Sequence, residues 1–368
     1  MSVSKPNQTP KSQLPEPRLV LRWAITIGIG LVGALAAKAG GLPLPWMLGP
    51  LIATGLVVVL GVKIVGAPPA FPTRLRMAFV PVIGVLIGSA FTPAIMASIP
   101  SWWPTLLSVL IFVPLAHLLG YGALRHLGGY DRATAYFGAM PGGLIESIEL
   151  GERYRADLRA LTSLQFARIA LVVTALPVAY SLAEGRAVGS ASGMSFGAPA
   201  EMSLIDAAIL TLCGVAGYLL ARRLHMPAAP ILGPLLLSAA AHAGGLTEAA
   251  PPGWLVALAQ LVIGVTLGLR FVGLTGRELG RHLSFAGINV VLVLGLGALF
   301  GQITAAMGGP GLEVMLLSLA PGGVVEMGLI ALSLGADAIF VTAHHLIRII
   351  ATVGIATAGW RMLQKSAG

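Results

Sequence analysis

The sequence predicts an all-α integral membrane protein with about ten transmembrane helices, arranged as two inverted repeats of five. Three observations support this prediction: an apolar composition, an internal duplication, and the distribution of basic residues between the hydrophobic spans. Each half is also predicted to contain one re-entrant or broken helix at a Pro-Gly-Gly segment.

The composition is typical of a chain surrounded by lipid. Hydrophobic residues make up 56% of the sequence and charged residues 10%, whereas a soluble domain carries about 25% charged residues. The net charge of +9 comes from Lys and Arg in short loops, which favours a role in topology and contact with anionic lipid over nucleic-acid binding. The single cysteine, Cys213, excludes a disulfide within the chain.

The chain repeats itself in order. Residues 45–51 (PWMLGPL) match residues 229–235 (APILGPL), and residues 141–146 (PGGLIE) match residues 321–326 (PGGVVE). The offsets are 184 (229 − 45) and 180 (321 − 141) residues. We therefore predict a disordered tail (1–17), a first membrane repeat (18–184), a connector (185–203) and a second membrane repeat (204–368).

Five hydrophobic spans are predicted in each half, each near the ~20 residues that cross a bilayer. They lie near 20–38, 45–62, 75–91, 102–123 and 159–182, and near 204–221, 229–246, 254–271, 284–307 and 338–360. Two Gly-x-x-x-Gly pairs at matching positions, Gly84/Gly88 and Gly264/Gly268, predict close helix–helix contacts.

Loop charges favour an inverted second half. If each Pro-Gly-Gly segment enters and returns, each half crosses five times, and the basic loops of both halves lie with the basic N-terminus in the cytoplasm. A full crossing would place four second-half arginines on the opposite side: Arg222, Arg223, Arg277 and Arg281. The prediction therefore has both termini in the cytoplasm.

Inverted repeats with broken helices are typical of secondary transporters. Irregular backbone at membrane depth persists only where protein or a water-filled cavity surrounds it. The sequence therefore favours a binding site where the two breaks meet, with a purely structural kink as the alternative.

The duplicated Leu-Gly-Pro and Pro-Gly-Gly-x-x-Glu motifs resemble the AbrB family of bacterial inner-membrane proteins, whose domain occurs as a tandem duplication. The resemblance covers nearly the whole chain after the tail and implies location in the inner (plasma) membrane. Family members carry the labels regulator of gene expression, ammonia monooxygenase and transporter, so the resemblance leaves the chemistry open. The small soluble DNA-binding regulator of the same name is a different protein.

The candidate solute site combines the two turns with two arginines. Proline and glycine break one helix and start another, whose free N–H groups and positive dipole end suit an anion. Arg168 and Arg348 each lie 11 residues (168 − 157, 348 − 337) beyond an aspartate that precedes the last span, or roughly 16 Å along a helix. Such buried arginines need a partner or a cavity. The candidate residues are Pro141, Gly142, Gly143, Pro321, Gly322, Gly323, Arg168 and Arg348.

The candidate ion-coupling residues are Glu146, Glu326, His344 and His345. Each glutamate falls in the first turn after its Pro-Gly-Gly segment, where dipole stabilisation is the structural alternative. The glutamates are also the expected partners of Arg168 and Arg348, unless these arginines bind a carboxylate substrate. Both histidines are expected on the helix face of Arg348, although packing alone would also explain them. Asp157 and Asp337 are interpreted as N-caps.

The sequence thus predicts a non-enzymatic secondary transporter for a small anionic solute, driven by an ion gradient and embedded in the lipid bilayer. The alternatives are a membrane-bound regulator of gene expression and an ammonia monooxygenase-like subunit. No cofactor, metal site or nucleic-acid partner is predicted, since neither a Walker motif nor metal-ligand spacing occurs. Homo-oligomer formation is left open.

Overall fold

The computed structural model describes residues 16–91, 93–185, 202–226 and 228–365. Within these ranges the chain is helical and contains no strand, apart from one isolated bridge between Ile64 and Ala67. The predicted all-α class is therefore confirmed for the described part. The predicted tail, up to residue 15, and the connector from 186 to 201 lie outside the described residues.

Fifteen α-helices are formed by the described residues. The first eight are α1 (Pro17–Ala39), α2 (Pro45–Val59), α3 (Thr73–Ser89), α4 (Pro93–Ser98), α5 (Trp103–Gly122), α6 (Arg132–Gly138), α7 (Leu144–Arg153) and α8 (Leu158–Glu184). The others are α9 (Leu204–Arg223), α10 (Ala229–Ala243), α11 (Gly253–Gly268), α12 (Gly276–Ala306), α13 (Leu312–Leu319), α14 (Val324–Leu334) and α15 (Ala338–Lys365).

Seven helical segments of the described chain are long and apolar enough to cross a membrane, which makes the chain a multi-pass membrane protein. They are Pro17–Ala39, Ile95–Leu127, Leu158–Ala183, Leu204–Arg223, Gly253–Phe271, Gly276–Ala306 and Ala338–Gln364. The other three predicted spans form α2, α3 and α10, which are shorter, at 15, 17 and 15 residues.

The matched segments 45–51 and 229–235, which contain the Leu-Gly-Pro motifs, begin equivalent helices. In α2 and α10 a proline stands at the first or second helical position, where its missing N–H costs nothing. The preceding residues, Leu44 and Ala228, have φ values of 44° and 48° and turn the chain sharply into the helix. A second proline lies inside each helix, Pro50 and Pro234. The repeated motif thus gives the same local structure twice.

The predicted Gly-x-x-x-Gly contacts are confirmed. A Cβ on Gly84 or on Gly88 would lie 2.5 Å from the backbone oxygen of Ile231 or Leu235, so α3 packs directly on α10. Gly264 and Gly268 bring α11 equally close to the backbone of α2. Only glycine permits such an approach, because a Cβ would collide with the neighbouring backbone.

Helices of the two halves are interleaved. Helix α2 packs on α1 and on α11, while α10 packs on α9 and on α3. Helix α8 lies against α12, and α15 lies against α5 and α14. The largest apolar core is therefore formed by buried side chains of both halves.

Candidate functional site

Each Pro-Gly-Gly segment separates two short helices. The first lies between α6 and α7, and the second between α13 and α14. The residues of the first turn are buried, and Gly143 caps α7 with a φ of 67°, a left-handed conformation that glycine adopts without strain. Gly323 caps α14 with an extended backbone instead, at φ −81° and ψ 150°. Because both N-cap residues are glycines, neither helix has a side-chain cap from its N-cap position.

Arg168 joins the two turns. Its guanidinium is 3% exposed; Nη1 donates to the carbonyl oxygen of Met140 and Nε donates to that of Pro321 at 3.1 Å. One acceptor belongs to the first break and the other to the second. The side chain of α8 thereby holds the two breaks next to each other.

Arg348 occupies the equivalent place on α15. It is 1% exposed; Nη1 donates to the carbonyl oxygen of Ala320 and Nη2 to that of Gly322 at 3.2 Å. Nη2 also donates to Nδ1 of His345 at 2.9 Å. The remaining donor, Nε, is buried and has no hydrogen-bond partner.

The predicted pairing of these arginines with Glu146 and Glu326 is wrong. Among the described residues, the ion pair that forms joins Arg159 to Glu278 at 2.9 Å, far along the sequence from both turns. A broken helix leaves backbone carbonyls without an intrahelical donor, and the guanidinium groups satisfy these carbonyls. The acceptors that the arginines needed were therefore main-chain atoms.

The two glutamates fold back over their own turns. A carboxylate oxygen of Glu146 lies 3.1 Å from the position that a Cβ on Gly143 would take. The carboxylate of Glu326 lies over Gly323 in the same way and accepts a hydrogen bond from its own backbone N–H. Glu146 is half-buried, whereas Glu326 is 3% exposed.

Only one of the two candidate histidines contacts the arginine. The ring of His345 donates through Nε2 to the carbonyl oxygen of Leu317 at 2.9 Å, so Nδ1 is free to accept from Arg348. His344 bonds instead to the carbonyl oxygen of Phe340 at 2.7 Å and to the hydroxyl of Thr105 at 2.9 Å. Both histidines lie within one turn of Arg348 on α15, but His345 alone of the two bonds to it.

Gln165 is a site residue that the sequence did not single out. It is the first-half counterpart of His345 (345 − 180), and its Nε2 donates to the carbonyl oxygen of Phe137 at 2.9 Å. Phe137 is in turn the counterpart of Leu317 (317 − 180), so two different side chains make the same bond in the two halves. The repeat offset was the signal that could have identified it.

Thr352 is a second residue that sequence reasoning missed. It is fully buried on α15, and its hydroxyl has no hydrogen-bond partner. A Cβ on Gly142 would lie 3.4 Å from the Thr352 hydroxyl and 3.6 Å from Nε of Arg348. The first turn therefore faces two buried polar groups of the second half that nothing satisfies.

The aspartates before α8 and α15 are N-caps, as predicted. Asp157 accepts from the backbone N–H groups of Arg159 and Ala160 at 3.0 and 3.1 Å. Asp337 accepts from Ile339 and Phe340 at 3.0 and 2.9 Å. Both carboxylates serve the helix start and stay away from the turns.

The arrangement offers hydrogen-bond donors rather than metal ligands. An unpartnered Nε–H and a hydroxyl lie beside the first turn, and two helix starts face the region where the breaks meet, each with a glutamate carboxylate over it. The donors and the helix starts suit an anion. In the described part of the chain, no three His, Cys, Asp or Glu side chains are grouped as a metal site would require.

The fold and the site define a class: a multi-pass helical membrane protein in which two broken helices meet at buried arginines. The family model described as "Transition state regulatory protein AbrB" matches residues 52–364. The chain belongs to the AbrB family.

Two relatives match over nearly their whole length. One is the Bacillus subtilis (strain 168) "Uncharacterized protein YhjN", 26% identical over 363 residues, which are 93% of each chain. The other is the Escherichia coli (strain K12) "Putative regulator AbrB", 24% identical over 332 residues, covering 90% of this chain and 93% of the relative.

Proposed function

We propose that this protein is a secondary active transporter that carries a small anionic solute across the bacterial inner membrane, driven by an ion gradient. One observation supports it above the others: two helix breaks from different halves lie side by side, and each is held by a buried arginine. Broken helices at a repeat interface are where secondary transporters bind their solutes.

The solute site in this proposal is the crossing of the two turns. Backbone N–H groups at the start of a broken helix present the positive end of its dipole to an anion, and Arg168 and Arg348 supply positive charge. The coupling ion is assigned to the glutamates that lie over the turns, Glu146 and Glu326, because a carboxylate there competes with a bound anion unless a cation neutralises it. His345 supports Arg348 from the side.

The proposed topology has ten crossings in two inverted halves, with a re-entrant hairpin in each. The helix bounds support it, because α6, α7 and α8 recur 180 residues later as α13, α14 and α15 with starts that match exactly (132, 144 and 158; 312, 324 and 338). Reporter fusions test it: both termini should report the cytoplasm and a fusion in the 186–201 connector the periplasm. A cytoplasmic connector would contradict the inversion.

The transport experiment uses the purified full chain in proteoliposomes. Small carboxylates and inorganic anions are supplied outside under an imposed proton or sodium gradient, and empty liposomes and ammonium serve as controls. We expect at least one anion to accumulate above the empty-liposome level and to stop accumulating when the gradient is dissipated. Uptake of ammonium alone would contradict an anion transporter.

A membrane-bound regulator of gene expression is the second candidate, because one relative carries the word regulator in its name. The two functions separate in one strain. If gene expression responds to deletion of the protein and a transport-dead variant restores the response in full, regulation does not need transport. If the variant fails to restore it, the transcriptional effect follows from the solute.

A further inference from the structure

The second half differs from the first in one respect that concerns the solute. Building on the proposed function, we infer that a single carboxylate binds against the first turn only, between Nε of Arg348, the hydroxyl of Thr352 and the start of α7. Thr352 is thereby assigned as a solute-binding residue. The second turn serves as a structural counterpart without a solute of its own.

The two donors converge on one point. Arg348 and Thr352 stand four residues apart on α15 and therefore share a helix face. Both are at most 1% exposed, and neither Nε nor Oγ1 has a hydrogen-bond partner. A Cβ on Gly142 would lie 3.6 Å from Nε of Arg348 and 3.4 Å from the Thr352 hydroxyl, so both groups stand on the same side of the first turn.

Unsatisfied buried donors are costly, and most native structures pair them. Their convergence beside Gly142 points to a ligand that bonds to both groups. The ligand must accept two hydrogen bonds at once, which a carboxylate oxygen does and a cation or hydrocarbon does not.

The local charge indicates the sign of the ligand. Two buried guanidinium groups lie close together, because those of Arg168 and Arg348 bond to the carbonyl oxygens of the adjacent residues Pro321 and Ala320. Among the described residues neither forms an ion pair with a carboxylate. A buried charge normally has a counter-charge. The start of α7 presents the positive end of its dipole beside Gly143, and the half-buried carboxylate of Glu146 that lies over it is the proposed site of the coupling cation.

The first-half equivalents lack these free donors. Nε of Arg168 is used by the carbonyl oxygen of Pro321 at 3.1 Å. The position equivalent to Thr352 is Val172 (352 − 180), which has no hydroxyl. The second turn therefore faces an arginine whose Nε is already bonded and an apolar side chain, and only the first turn retains a place for an anion.

The experiment measures binding rather than transport, so that the two proposals can fail separately. The purified full chain in detergent is titrated with acetate, pyruvate, succinate and sulfate by calorimetry. Thr352→Val removes the hydroxyl at nearly constant volume. Gly142→Ala places a methyl group beside both donors, at an ordinary contact distance of 3.4 Å or more, so this variant should fold normally. Thr352→Ser keeps the hydroxyl, and Thr342→Val removes a hydroxyl that is already bonded to Ala338 within the helix.

We expect the parent to bind at least one carboxylate. Thr352→Val should bind it roughly 10-fold to 100-fold more weakly, because a hydrogen bond to a charged group is lost. Gly142→Ala should weaken binding to a similar degree, because its methyl group keeps the carboxylate away from both donors. Thr352→Ser and the Thr342→Val control should match the parent. Equal affinity of Thr352→Val and the parent would overturn the assignment. A parent that binds none of the carboxylates would overturn it as well. Binding without any uptake in proteoliposomes would leave the site standing and overturn the transport function.

Discussion

The two Pro-Gly-Gly turns share a motif but not a structure. Each begins a helix and lies under a glutamate three residues on, and in each half an arginine of the last long helix bonds to the carbonyl before the proline. The first turn has a left-handed Gly143, while Gly323 in the second is extended. The first turn faces an unpartnered Nε and a hydroxyl of the other half, whereas the Nε of Arg168 that reaches the second turn is bonded to the carbonyl oxygen of Pro321.

This difference separates scaffold from site. Some bonds recur in both halves, such as Gln165 to Phe137 and His345 to Leu317. They satisfy carbonyl oxygens that precede each turn and so stabilise the broken helices. Features present once cannot be required by the shared scaffold. They are therefore the better guide to a solute. Two of them, the unpartnered Nε of Arg348 and the unpartnered hydroxyl of Thr352, lie beside the first turn.

The arginines should show the largest effect on stability. Arg168→Met leaves the buried carbonyl oxygens of Met140 and Pro321 without donors, at about 1–3 kcal/mol each, so the free energy of unfolding should fall by roughly 2–6 kcal/mol. Thermal unfolding in detergent measures it. Arg159→Met is the matched control, because its ion pair is exposed and worth about 0–1 kcal/mol. Equal losses for the two variants would mean that the turn carbonyls do not depend on Arg168.

His345 distinguishes a structural bond from a titrating group. His345→Leu strands the carbonyl oxygen of Leu317 and should cost about 1–3 kcal/mol of stability. His345→Gln should cost less than about 1 kcal/mol, because Gln165 makes the same bond in the first half. Unfolding temperature and gradient-driven uptake are measured for both. A stable His345→Gln protein without gradient-driven uptake would restore the ion-coupling role that the sequence predicted.

The glycine caps should respond unequally. Gly143→Ala forces a side chain into a left-handed backbone, which costs about 1–2 kcal/mol, and its Cβ would press on Glu146 and Val353 at 3.1 and 3.3 Å. Gly323→Ala has no such strain at φ −81° and has only to displace the flexible carboxylate of Glu326. Chemical unfolding of the two variants compares them, and a larger loss for Gly323→Ala would reverse the assignment of the strained turn.

Much of the fold follows from the sequence. The repeat offsets locate equivalent helices, the Gly-x-x-x-Gly pairs identify α3 and α11 as closely packed helices, and the aspartates before α8 and α15 cap them as expected. These features depend on local chemistry and on spacing, both of which are visible in one dimension.

The partners of the arginines could not be read in the same way. A sequence displays carboxylates but not which backbone carbonyls a broken helix leaves free, so Glu146 and Glu326 were chosen over Met140 and Pro321. Thr352 carried no signal at all, because a threonine in an apolar helix usually bonds to its own backbone, as Thr342 does. Only the crossing of the chains shows that its hydroxyl is unpaired.

The proposed transport depends on the anion site between Gly142, Arg348 and Thr352. Its most direct test is the initial rate of gradient-driven anion uptake into proteoliposomes that contain equal amounts of the parent or of Gly142→Ala. We expect accumulation by the parent and a rate at the empty-liposome level for Gly142→Ala. The unfolding temperatures should match, because the added methyl group meets its neighbours at 3.4 Å or more. Equal rates for the two proteins would contradict it.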